Sequence, residues 1–106
     1  MSRLSSNANV YNTCLRIIRE KGYGLNLSGE LDEDEMIIPE SMLWSAEKGE
    51  YDFLADNPIE LLGLVAIHEK INPQEDKSYW WVVEGADIYD ELIEKAFPDE
   101  EKNGME

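Results

Sequence analysis

The segment Asn57-Pro58-Ile59-Glu60 constrains the chain more than any other feature. Asn57 is a helix-capping residue, Pro58 suits the first helical position because its missing N–H is not needed there, and Glu60 can return to the cap. The next seven residues, Leu61-Leu62-Gly63-Leu64-Val65-Ala66-Ile67, are apolar nearly all round. A helix over Asn57–Ile71 is therefore expected, buried on most of its surface and forming the centre of a core. Gly63 in its middle implies a close-packing point, since glycine there costs about 1 kcal/mol against alanine. Asn72-Pro73 closes the segment.

The flanking sequence supplies the other elements. From Asn7 to Lys21, Val10, Cys14, Ile17 and Ile18 recur at helical spacing, and Gly22 stands where helices commonly end. Tyr23, Leu25 and Leu27 alternate with small or polar residues, the period of a half-buried strand. Gly29 to Glu35 reads as a solvated acidic loop, and Met36-Ile37-Ile38 as a short strand stopped by Pro39. Residues 39–56 admit a short helix or a hairpin turning at Glu47-Lys48-Gly49-Glu50. Alternation of Tyr51, Phe53 and Ala55 with Asp52 and Asp56 selects the hairpin. Tyr79-Trp80-Trp81-Val82-Val83 reads as the strongest strand, continuous enough to be central. Ile88, Leu92 and Ala96, with Tyr89, Ile93 and Phe97, form the apolar face of a last helix before Pro98. The expected fold is α+β: a single small domain over residues 7–98, with a mostly antiparallel four- to five-stranded sheet packed against two or three helices. Residues 1–6 and 99–106 are expected to be flexible termini.

Charge narrows the function classes. The 106 residues carry 9 basic and 24 acidic side chains, a net of −15. Residues 1–29 hold Arg3, Arg16, Arg19 and Lys21 against Glu20, whereas residues 30–106 carry a net of −18. Such a body repels phosphate, which argues against nucleic acid and anionic membranes as ligands. No apolar run approaches the ~20 residues of a spanning helix, and no signal-like segment is visible, so the expected location is cytoplasmic.

Catalytic chemistry finds few supports. A nucleophile–base pair requires His beside Ser or Cys. The chain has one His, His68, and one Cys, Cys14, both on apolar helical stretches where core roles are commoner. Gly22-Tyr23-Gly24 lacks a third glycine and precedes a strand, so it is no phosphate loop. Counted from Asp32 as a calcium loop, Met36, Ile37 and Leu43 fall where a ligand, a glycine and a glutamate are required. No metal site and no cofactor are expected. Asn26-Leu27-Ser28 matches a glycosylation acceptor, which carries weight only in a secreted chain.

Two expectations follow. In the first, the protein is a non-enzymatic acidic interaction module docking a basic protein partner, with Asp32, Glu33, Asp34 and Glu35 as docking charges and Trp81 as an anchor. Inhibition of that partner, in the manner of an immunity protein, is its most concrete form; the likeness to such proteins is one of size and acidity. In the second, a pocket near Tyr51, His68 and Trp81 binds a small ligand or supports weak catalysis.

Overall fold

The computed structural model describes residues 2–98. Its core is a three-stranded antiparallel sheet in the order β1 (Gly24–Ser28), β2 (Leu43–Lys48), β3 (Tyr51–Ala55). Helix α1 (Tyr11–Glu20) precedes the sheet, and α2 (Pro58–Ile71) and α3 (Ile88–Ala96) follow it. The protein is a small α+β domain with three strands among the described residues, not the four or five expected.

Local chemistry accounts for the elements. The Asn7 side chain accepts a hydrogen bond from the Asn9 amide and opens a short 3-10 turn, Ala8–Val10, that runs into α1. Lys48 pairs with Tyr51 across a two-residue turn. Gly49 supplies the positive φ of +62° at the first turn position, a conformation that matches the natural twist of hairpin strands. The helical alternative at Pro39 survives only as the single turn Pro39–Ser41. Asn57 Oδ1 accepts from the Glu60 amide at 2.9 Å, capping α2. At the other end Asn72 takes the left-handed conformation and its N–H bonds to the His68 carbonyl.

Register defines the faces. Leu25, Ala46 and Phe53 lie side by side across the strands, as do Leu27, Trp44 and Ala55. Ile18 of α1 and Leu61 and Val65 of α2 close over this face, with Tyr23 beside them, and all four are buried. Asn26, Ser45 and Leu54 form a row on the opposite face. Lys21 Nζ meets Glu69 at 2.7 Å, tying the end of α1 to α2. Lys48 Nζ donates to the Lys21 carbonyl at 2.9 Å and ties it to the hairpin.

Two expected strands are absent as such. Residues 79–83 do not form a strand. Tyr79 adopts φ +58° and its carbonyl accepts from the Val82 amide, so the chain turns. Aromatic and β-branched residues favour strands only where neighbouring strands and a covering face receive them. Here Trp80 alone packs inward, and Val82 and Val83 are exposed. Residues 36–38 contribute one bridge, Leu31 to Ile37, inside a closed loop.

Helix α2 is also less buried than its composition suggests. Leu61 and Val65 are fully covered, but Leu62 and Leu64 are half-buried and Ala66 and Ile67 exposed. A helix packed on one layer buries one stripe whatever its other residues are. Gly63 is not a packing point: a Cβ there meets no atom within 4 Å. Gly63→Ala is therefore expected to stabilise the domain by up to ~1 kcal/mol, read as a higher urea midpoint. A lower midpoint would mean that something covers this face.

Helix α3 is capped by Asp87, which accepts from the Asp90 amide. Its apolar residues Ile88, Tyr89, Leu92, Ile93 and Phe97 are all exposed, so this stripe does not enter the core. Residues 2–6 are exposed and carry no regular structure. Residues 99–106 lie outside the described residues.

Candidate functional site

The hairpin turn delivers Tyr51 and Phe53 to the core face at one end of β3, and the last turns of α2 bring His68 over them. The turn at residues 79–82 then swings Trp80 against all three. The His68 ring centroid lies 4.5 Å from that of Tyr51, 5.3 Å from Phe53 and 5.5 Å from Trp80. On its inner side the Tyr23 hydroxyl is 2.6 Å from His68 Nδ1.

The electrostatics of this cluster are coherent. Burial, followed by the charge of Glu69, pushes the Tyr23 phenol above 10.0, so it stays protonated and can donate. Burial, followed by Lys48, pushes His68 below 6.5 against the opposing pull of Glu69. The imidazole is thus neutral near pH 7, with its Nδ1 hydrogen-bonded to the Tyr23 hydroxyl. A histidine held neutral binds fewer protons in the folded than in the unfolded chain. Its contribution is complete above about pH 6.5 and lost as pH falls through the depressed folded value. The stability difference between the native protein and His68→Gln is therefore expected to shrink from about pH 7 to about pH 5. Urea unfolding at each pH checks this, and a pH-independent difference would contradict it.

Outside this cluster a cleft of about 440 Å³ opens between the hairpin, the outer side of α2 and the 76–81 turn. Tyr51, Phe53, Trp80 and Trp81 give it aromatic walls, and Leu64 and Ile67 an aliphatic one. The rings stand steeply to one another: Tyr51 and Trp80 at 77°, Trp80 and Trp81 at 86°. Among the described residues, the charged ones lining it are Glu50, Asp52 and Asp76. Their field reaches the walls. The Tyr51 phenol is pushed above 10.0 by burial first, then by Asp76, Glu50 and the nearby Glu75.

A second depression lies at the β1 edge, where Arg16 and Arg19 of α1 face Leu25, Leu27 and Trp44. Its lining charges are all positive, the reverse of the first cleft. Among the described residues no group of three or more His, Cys, Asp or Glu side chains is arranged to hold a metal ion. No helix among them is long and apolar enough to cross a membrane.

The residues singled out from sequence separate into two places. Trp81 is 50% exposed at the mouth of the cleft, with Tyr79 packed on its outer side at 5.6 Å between centroids. Tyr51 lines the same cleft, and His68 lies behind it. Asp32, Glu33, Asp34 and Glu35 are exposed in the loop joining β1 to β2. That loop is internally built. Asp32 Oδ1 accepts from the Asp34 and Met36 amides, and Ser41 Oγ accepts from the Glu30 amide while donating to the Ile38 carbonyl. Gly29 fits where a Cβ would come within 2.8 Å of Ile37 Cγ2. This loop leaves the sheet at the end away from Gly49, about 17 Å from the hairpin turn by the length of β2. The acidic loop and Trp81 are therefore not neighbours.

Sequence reasoning missed the cleft's own acids. Glu50 and Asp52 were legible as hairpin-tip residues. Asp76 lies in the 74–78 stretch, whose polar composition reads as a loop but does not tell that it turns toward the cleft. Cys14 is buried in α1 as a free thiol. No protein-family model, curated protein or solved structure matches the chain.

Proposed function

We propose that the protein is a non-enzymatic acidic interaction module that docks a basic protein partner, with inhibition of that partner as its most concrete role. The observation that supports this most is the cleft at the β3 edge: an exposed tryptophan beside a concave apolar surface whose lining charges are all carboxylates. Interfaces concentrate their energy in such aromatic anchors and use surrounding charge for approach. Asp32, Glu33, Asp34 and Glu35 act in this reading as steering charges, which requires no contact with Trp81. A reducing, cytoplasmic setting suits a chain with one free cysteine.

The test compares capture from native lysate at low and high salt by the wild-type protein, a variant with these four acids neutralised, and Trp81→Ala. Partners are expected to be retained by the wild type at low salt, to bind more slowly to the neutralised variant, and to leave Trp81→Ala sooner. A retained protein indifferent to salt, to the four neutralisations and to Trp81→Ala would overturn the reading. A second reading, a small-ligand or weakly catalytic pocket, draws on the closeness of Tyr51 and His68. It requires a steep loss of binding or activity in His68→Ala, which the docking reading does not.

A further inference from the structure

Resting on the docking reading, we infer that the β3-edge cleft seats one arginine side chain of the basic partner, its guanidinium stacked on one indole face and paired with the rim carboxylates. Aromatic faces attract cations through the negative potential above the ring. Tyr51, Trp80 and Trp81 present three such rings in steep succession around one concavity. Glu50, Asp52 and Asp76 add negative charge there, with no lysine or arginine among the described lining residues to cancel it. The neutral imidazole behind the wall contributes no opposing charge at physiological pH.

The choice of arginine over lysine follows from shape and hydration. A guanidinium is flat, weakly hydrated and forked, so it can lie on an indole while its N–H groups reach two carboxylate oxygens. An ammonium is compact and strongly hydrated, and gains less from a half-open apolar wall. Leu64 and Ile67 form an aliphatic flank suited to the three methylenes of the arginine stem. The molecule already seats one cation in this manner: Lys48 Nζ stands 4.9 Å from the centroid of the Tyr23 ring.

The probe is Nα-acetyl-arginine amide, titrated against the full chain while the tryptophan indole N–H signals are followed by NMR. Nα-acetyl-citrulline amide, flat and nearly the same size but uncharged, is run at matched chloride. The arginine probe is expected to give saturable shifts of the Trp80 and Trp81 signals, with citrulline about tenfold weaker or more. Trp81→Ala and, independently, Asp76→Asn should each weaken the arginine probe several-fold. The variant neutralised at Asp32, Glu33, Asp34 and Glu35 should bind it normally, because those charges lie at the other end of the sheet. Equal binding of the two probes, or no saturable shift with arginine at millimolar concentrations, would overturn the inference. So would a loss in the four-acid variant as large as that in Asp76→Asn. A single blocked amino acid reports on the cleft alone. A positive titration with no salt-sensitive protein capture would therefore retain the guanidinium site and discard the docking reading; capture with no titration would do the reverse.

Discussion

Leu61→Ala is expected to cost ~2–5 kcal/mol, a large fraction of the ~5–15 kcal/mol that holds a small domain together. Leu61 is fully covered, closed in by the Ala46–Phe53 part of the sheet and by Ile18 of α1. Removing its isopropyl group opens a cavity bordered by sheet and two helices, and a β-sheet cannot collapse into it as a loop would. The neighbouring leucines set the scale. Leu62 and Leu64 lie on the half-buried sides of the same helix, so truncating either should cost clearly less. Urea unfolding of the three alanine variants is the measurement. Equal losses at all three positions would mean that α2 is covered on its outer side as well.

Trp80→Ala should have the second largest effect, about 3 kcal/mol, near the lower end for an aromatic truncation because the ring is only partly buried. Trp80 packs against Tyr51, Phe53 and His68 at once. It is the aromatic residue through which the 79–83 turn joins the core cluster. Trp81→Ala, one residue on, should leave the unfolding free energy within about 0.5 kcal/mol of native, as surface substitutions usually do. The pair therefore separates a structural tryptophan from one free to act in recognition. If Trp81→Ala is as costly as Trp80→Ala, the anchor role assigned to Trp81 loses its basis.

The contrast between these two indoles shows what the sequence could and could not convey. Elements governed by their own residues were readable: the Asn57 cap, the Gly49 turn, the helix spacing from Val10 to Ile18 and the period of Tyr51, Phe53 and Ala55. Each depends on interactions within a few residues, and each formed as expected. The failures share a physical cause. Whether Tyr79–Val83 becomes a strand depends on an available edge and a covering layer, which local composition does not specify. The all-round apolar surface of α2 likewise gave the helix but not the number of layers packed on it. Of the candidate site, Tyr51, His68 and Trp81 were visible as a possible pocket. Its carboxylate rim was hidden, because acids are so abundant here that only geometry distinguishes Asp76 from its fellows.

The order of strands in the sheet also governs how the chain can reach it. β2 and β3 are joined by two residues, β1 and β2 by fourteen. Closing the longer loop costs about 1.7 kcal/mol more in chain entropy by the logarithmic rule. The hairpin is thus the inexpensive first event, and α2 begins only two residues after β3 ends. A Phe53–Leu61–Val65 nucleus can assemble from residues close in sequence before α1 is engaged. β1 and α1 then arrive on a template already made, their docking being the step that spans the greatest separation along the chain. An architecture that leaves its N-terminal helix to last is poised to lose it first, so partial opening of this protein should begin where Ile18 and Lys21 meet α2, with the aromatic cleft at the hairpin still intact.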